Sequence, residues 1–329
     1  MSNKKYKYFC ILFSIFYSLF SYCSTYAKDE FEIKHADSLE ADKQAISING
    51  NINVEYKDAL IEATQGKIDS DINGEPYTAS FTGKAKLKLK DRFLEADTIT
   101  IIINDKKIIA TGKVYSELKD KKQNPIIITS DYQELYWSGE NAKAKGNITT
   151  KCEDLIISSE EANIIYKNKK PVQALFTGTK PQANLMQPTN STYADEFAID
   201  IKTHNVLAIG NVKSTIWPNT DKPKSDQEPI SLSTENLYID DSTGTITAKS
   251  VHKKVNFIFE TTNGESLEAK LVRNDKTKKP EKIVFIGSAD VVQEDKKLSS
   301  EEIVFNFSDK KLTSNTKTNV RPKTLIFKN

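Results

Sequence analysis

The sequence predicts an all-β protein: an elongated, antiparallel two-sheet sandwich, solenoid-like, made of repeated units of about 33 residues. Three observations lead there. Glycines recur at Gly50, Gly83, Gly112, Gly146, Gly178 and Gly210, at successive spacings of 33, 29, 34, 32 and 32, with Gly287 further on. Apolar and polar residues alternate at period two over most of the chain, the mark of half-buried strands. No stretch carries the apolar stripe of an amphipathic helix.

The elements follow in chain order. Lys4, Lys5 and Lys7 precede an uncharged apolar run from Tyr8 to Tyr22, and Thr25-Tyr26-Ala27 supplies small residues before a cut. This is the layout of a secretory signal peptide over 1–27, cleaved after Ala27. The run is about 15 residues, short of the ~20 that span a bilayer. The rival is an uncleaved inner-membrane anchor, and Tyr22 before Cys23 argues against a lipoprotein. The expected destination is a bacterial periplasm.

The body is expected over 28–314. Ile46, Ile48, Ile52, Val54 and Tyr56 share one parity, as do Phe81, Ala85, Leu87 and Leu89, and then Ile99, Ile101 and Ile103. The pattern resumes with Phe197, Ile199 and Ile201, with Val255, Phe257 and Phe259, with Ile283, Phe285, Ala289 and Val291, and with Ile303, Phe305 and Phe307. A degenerate copy near Lys253-Lys254-Val255 fills the gap before Gly287. Each repeat has room for about three strands of roughly 6–8 residues. That predicts roughly 24–27 strands and a body about 58 Å long at ~4.8 Å per rung. Two Pro-containing stretches, 180–192 and 216–229, read as insertion loops, the second a candidate divider of two halves. The segment 315–329 loses the repeat and reads as a C-terminal tail, frayed or serving as a partner strand.

Composition narrows the function. Of 47 basic and 45 acidic residues, three lysines fall in 1–27, leaving 44 against 45. A near-neutral chain with only Arg92, Arg273 and Arg321 has no footprint for nucleic acid. Cys152 stands alone once Cys10 and Cys23 are removed with the leader, so no internal disulfide is expected, and its thiol reads as inert. His35, His204 and His252 are far apart, without zinc spacing. No phosphate loop, nucleophile elbow or paired-acid motif is present. The reading is non-enzymatic, with no cofactor and no metal.

Two further motifs repeat with the glycines. A small residue followed by an acid precedes many of them: Ala36-Asp37, Ala96-Asp97, Ala194-Asp195, Thr234-Glu235 and Ser300-Glu301. The glycine itself opens Gly50-Asn51-Ile52, Gly146-Asn147-Ile148 or Gly210-Asn211-Val212, read as turns. With Leu60-Ile61-Glu62-Ala63 and Arg92-Phe93-Leu94-Glu95-Ala96-Asp97, these segments make the chain, from Glu32 to Leu312, similar to the LptA/OstA group of periplasmic lipopolysaccharide-transport proteins. The resemblance implies a β-jellyroll whose two sheets enclose a hydrophobic groove for lipid acyl chains, with such proteins stacking end to end between inner and outer membranes. The chain is longer than the usual member of that group, and LptA-like and LptC-like roles both remain open.

The expected groove lining is Ile46, Ile48, Ile52, Val54, Leu87, Leu89, Ile99, Ile101, Ile103, Phe197, Ile199, Ile201, Phe257, Phe259, Phe285, Phe305 and Phe307. Expected partners are lipopolysaccharide or a related glycolipid, other transport jellyrolls, and a second copy joined head to tail. The strands around Phe31–Ile33 and Val304–Phe307 are the expected edges. The same alternation also fits a structural or adhesive exported β-solenoid with a closed core, or a glycan-processing enzyme on a β scaffold.

Overall fold

The structure, a computed structural model, describes residues 31–89, 92–119, 125–137, 142–167, 170–219, 222–314 and 323–326. The expected signal peptide lies outside the described residues. The chain is all β, with one short 3-10 turn at Lys224–Asp226 among the described residues. It divides into two compact units, one ending at Phe176 and one beginning at Thr177. That boundary falls ahead of both Pro-containing stretches.

The first unit begins with β1 (Phe31–His35) and β2 (Ser38–Ala41), both paired with β3 (Ala45–Tyr56). There follow β4 (Ala59–Ser70), β5 (Pro76–Leu89), β6 (Arg92–Ile102), β7 (Lys107–Lys119), β8 (Pro125–Tyr136), β9 (Ala142–Cys152) and β10 (Leu155–Lys167). From β3 to β10 each strand pairs antiparallel with the next. β11 (Lys170–Thr177) runs into the second unit. The strands β3 to β10 are 11 to 14 residues long. One sequence repeat is therefore a hairpin of two long strands, not three strands of half that length.

The difference has a physical cause at the glycines. Gly50, Gly83, Gly112 and Gly146 lie mid-strand at positive φ, each followed by a second left-handed residue: Asn51, Lys84, Lys113 and Asn147. The register slips at each, between Asn49 and Ile52 for example. These are β-bulges that bend a continuous strand, not chain reversals. The acid of the small–acid motif faces the bend. Asp37 N–H donates to the Asn49 and Gly50 carbonyls, both at 3.0 Å, and Asn51 Nδ2 donates to the Asp37 carboxylate at 3.1 Å. Asn147 Nδ2 donates to Asp131 at 2.8 Å. A Cβ on Gly146 would lie 2.4 Å from Asp131 Oδ2, so only glycine admits the acid.

The bends divide every long strand into two arms, and the arms pack face to face. Phe31 belongs to the layer of Asn53–Tyr56, Phe81 to the layer of Ala45–Asn49, yet their rings lie 6.5 Å apart. Tyr56 and Trp137, at strand ends in opposite layers, meet edge to face at 5.4 Å. Between the layers runs one apolar cluster, from Ile48, Ile52 and Val54 through Phe81 and Leu87 to Ile99, Ile101 and Val114.

The second unit repeats this plan with more breaks at the bends. Its strands are β12 (Ala183–Gln187), β13 (Asn190–Ala194), β14 (Glu196–Asp200), β15 (Val206–Ile216), β16 (Ile230–Ile239), β17 (Ile246–Lys249), β18 (Val255–Phe259) and β19 (Thr262–Ser266). They continue with β20 (Glu268–Arg273), β21 (Pro280–Gln293), β22 (Lys296–Asn306), β23 (Leu312–Ser314) and β24 (Lys323–Ile326). One layer pairs β12, β13, β15, β16, β18, β19, β21, β22 and β24 in turn. The other pairs β14, β15, β16, β17, β20, β21, β22 and β23. Gly210 and Gly287 bend β15 and β21 as Gly50 bends β3. Asp195 faces Gly210 and accepts from Asn211 Nδ2 at 2.9 Å.

Four expectations change here. Residues 180–192, read as a loop, contain β12 and the start of β13, a hairpin with Pro181 ahead of its first strand and Pro188 in its turn. The tail 315–329 includes β24, paired along Lys296–Ser299. The Val304–Phe307 segment is not an edge, because β23 pairs Leu312 with Phe305. Gly178, aligned with the bend glycines, lacks their positive φ, and its N–H donates to the Asp195 carbonyl at 3.0 Å. Between Ile216 and Ile230 no described residue is in a strand.

Candidate functional site

The expected lining residues point inward, but into two interiors. In the first unit Ile48, Ile52, Val54, Leu87, Ile99 and Ile101 are buried. Ile46, Leu89 and Ile103 are half-buried and pack against the same cluster. In the second unit Phe197, Ile199, Ile201, Phe257, Phe259, Phe285 and Phe305 are buried and Phe307 is half-buried. The parity that marks them is the parity of the sheet face: Gly50 and Asn51 stand together opposite the single Thr64, so the inward alternation of β3 runs on from Ile48 to Ile52 while that of β4 changes between Ile61 and Ile68.

The second interior is the more aromatic. Phe257, in the layer of β18, meets Phe285, in the opposite layer, edge to face at 5.3 Å. Phe257 also lies 6.3 Å from Phe305, and Phe259 lies 5.2 Å from Phe307. Phe285 reaches across because Gly264 stands opposite: a Cβ there would sit 2.5 Å from the ring. Side chains thus fill the space between the layers, and ring edges meet ring faces without polar atoms.

Away from the bends, side-chain contacts join the layers. At the strand ends of the second unit, Lys310 pairs with Glu260 in the β18–β19 turn, and Gln293 Nε2 donates to the Lys310 carbonyl at 3.0 Å. At the strand ends of the first unit the Lys57 ammonium lies 5.3 Å from the Tyr56 ring and 5.6 Å from the Trp137 ring.

Polar side chains on the inward face are few. Ser116, Ser130, Gln133 and Thr150 are buried in the first unit. In the second, Asn190, Thr192 and Ser214 form a closed hydrogen-bonded set: Thr192 Oγ1 and Ser214 Oγ each lie 3.0 Å from Asn190 Oδ1 and 2.9 Å from one another. The sequence reading missed this set, since two members fall in the stretch taken for a loop. The alternation Ala183, Leu185, then Asn190, Thr192, Ala194 was the available signal. It also missed Asp131, although Ser130-Asp131 stands before Gly146-Asn147 as Ala36-Asp37 stands before Gly50-Asn51.

Most charged groups belong to the outside, while Tyr56 is buried and burial pushes the Tyr166 phenol up to about 12. His252 Nδ1 lies 3.4 Å from Glu235 on the surface, and His35 lies 3.8 Å from Asp37. The Glu235 carboxyl is held below its usual range, chiefly by the N–H of Val251 and also that of His252. It therefore serves a bend, as Asp37 does. Burial lowers His204, partly offset by Asp200. On the outer face, burial and a 2.7 Å hydrogen bond to Glu134 push the Tyr132 phenol up to about 12. Cys152 is buried at the end of β9. Among the described residues, no three His, Cys, Asp or Glu side chains gather as a metal ion would need.

These features define a class: an all-β protein of folded-over antiparallel sheets, whose sequence repeat is a bent hairpin and whose distinctive surface is an apolar interior. No protein-family model and no curated protein matches the chain. Among solved structures, the chain is similar to LptH, the LptA-homologous periplasmic component of the lipopolysaccharide transport device from Pseudomonas aeruginosa. The TM-score is 0.31 and the identity 12%, over 48% of this chain and 94% of that one.

Proposed function

We propose that this protein is an exported, non-enzymatic carrier that shields the acyl chains of lipopolysaccharide or a related glycolipid between the layers of its units, in the periplasm, within an assembly that reaches the outer membrane. The observation that carries the reading is the interior of the second unit, where Phe257, Phe259, Phe285, Phe305 and Phe307 meet across the two layers with no polar partner. The layers are continuous only at the bends; elsewhere side chains hold them, and an acyl chain can replace ring-to-ring contacts with contacts of its own. Each methylene taken from water contributes about 0.8 kcal/mol. A long acyl chain therefore needs no polar recognition to be held. The partners follow from the resemblance noted above: other jellyroll proteins, or a second copy, added at the exposed side of β1 and β2.

A photo-crosslinking residue at Phe257, with Asn256 as the outward control, tests this in the exported protein. The expected result is a covalent lipopolysaccharide adduct at Phe257 and none at Asn256. No adduct at Phe257, Ile101 or Phe307 would overturn it. The filled interior favours one other reading, a structural exported β protein with a closed core, and that negative result would establish it.

A further inference from the structure

Among the described residues, the last strand of the second unit sits on its sheet with the wrong face inward. β24 pairs Lys323 with Ser299, Thr324 with Leu298, Leu325 with Lys297 and Ile326 with Lys296. Leu298 belongs to the inner face, because it stands opposite the buried Val291. Lys297 belongs to the outer face, where its ammonium lies 3.5 Å from Asp290. Period two therefore sets Thr324 on the inner face and Leu325 on the outer one, where Leu325 is 58% exposed. A strand fitted to this seat would do the reverse.

Two further features make β24 a weak occupant. β23 ends opposite Ile303 and β24 begins opposite Ser299, four steps apart along β22 but nine along the tail from Ser314 to Lys323. The link is slacker than the seat requires. The tail also carries Lys317, Arg321, Lys323 and Lys328 without an acid, and the edge it covers presents Lys296 and Lys297. Like charges on neighbouring strands oppose pairing.

The first edge of the chain supplies what this seat lacks. β1 and β2 each pair with β3 and, among the described residues, with no other strand. In β1, Phe31 and Ile33 pack against the apolar cluster while Glu32 is exposed. In β2, Leu39 stands opposite the buried Ile48 and so faces inward, yet it is 49% exposed because nothing lies beyond it. Residues 31–42 carry Glu32, Asp37, Glu40 and Asp42 against Lys34. An acidic edge with inward apolar residues thus complements a basic edge whose own strand turns its leucine outward. Such a match joins the last edge of one copy to the first edge of another, a heterologous contact.

We infer that β24 is a removable cover: it occupies the edge of β22 in the single molecule and gives way there to the β1–β2 edge of a second copy. While seated, the tail competes as a tethered strand whose link keeps its local concentration high, so self-assembly stays weak until the tail is drawn off. The inference rests on the part of the proposed function that adds a second copy at β1 and β2, and it adds the device that restrains that step.

Sedimentation of the full exported chain over a range of concentrations tests it. Thr324→Pro with Leu325→Pro removes backbone donors of β24 without shortening the chain. That variant should self-associate at least about tenfold more tightly than the wild type, because the competent edge is no longer covered. Adding Glu32→Lys and Glu40→Lys should cancel the gain. Ser299→Cys with Lys323→Cys, once oxidised, pins β24 in place, since directly opposite residues lie within disulfide reach. The pinned form should be the least associated of all. Leu325→Pro alone serves should the double proline variant not fold. A proline variant that associates no more than the wild type, a gain that survives the charge reversals, or a pinned form that associates as the proline variant does overturns the inference. The lipid adduct at Phe257 is read independently, so any of these results leaves the cargo reading standing.

Discussion

Gly146 has no room for a side chain and takes a φ of 73° that L-residues resist, with Asp131 seated against it and Asn147 bound to that acid. Gly146→Ala should destabilise the first unit by about 1–3 kcal/mol, read from urea unfolding. Gly264→Ala tests a different cause, since the obstacle is the Phe285 ring and not the backbone conformation. Overpacking there should cost about 1–3 kcal/mol, and Gly264→Ala with Phe285→Leu should recover part of it. Asp290 gives a pH dependence. Burial by itself raises its carboxyl, but the Ser299 hydroxyl at 2.6 Å and the Lys254 ammonium at 3.0 Å outweigh that and hold it below the usual range. A lowered folded value means the stabilisation is present above the ordinary aspartate value near ~4 and is lost as pH falls through the folded one. Melting temperatures of the wild type and Asp290→Asn should differ at neutral pH and converge in acid. The difference should be under ~1 kcal/mol, because the pair is about one third exposed.

The strand ends of the second unit set an aromatic contact beside an ion pair. Phe259 and Phe307 meet at 5.2 Å, next to Glu260 and Lys310. The ion pair is solvent-facing and should contribute at most ~1 kcal/mol. A half-buried ring in a five-phenylalanine group contributes more, about 1–2 kcal/mol on truncation. Phe307→Ala should therefore lower the melting temperature further than Lys310→Ala. If the layers part at this end to admit a chain, Phe307→Ala should also raise the yield of lipid adduct at Phe257. A lower yield would place the entry elsewhere. The hairpin β12–β13 shows how the element scale was misread: two prolines within a short span suggested a loop, while both fall at positions that spare the ladder its missing N–H.

For the molecule as a whole, the interior decides the thermodynamics of any cargo. Taking up an acyl ester should give a negative heat-capacity change in calorimetry at several temperatures, since apolar surface leaves water. A change near zero would mean the ligand lies on the outer, polar faces. On the carrier reading, the near-balance of charge would leave lipid phosphates to individual lysines and not to a basic field.

The class of the fold, the inward parity of Phe257 or Ile99, and the places where bends occur were legible along the chain. Each depends on local chemistry: alternation follows from the pleat, and a left-handed bend selects glycine and asparagine. Whether Gly50-Asn51 reverses the strand or only bends it was not legible, because the answer lies in Asp37 bonding to the Asn49 and Gly50 carbonyls from the neighbouring strand. The division at Phe176, the crossing of Phe285 over Gly264, and the meeting of Thr192 with Ser214 share that character. They join residues far apart in sequence through register and layer packing, and neither register nor layer packing leaves a mark at any single position.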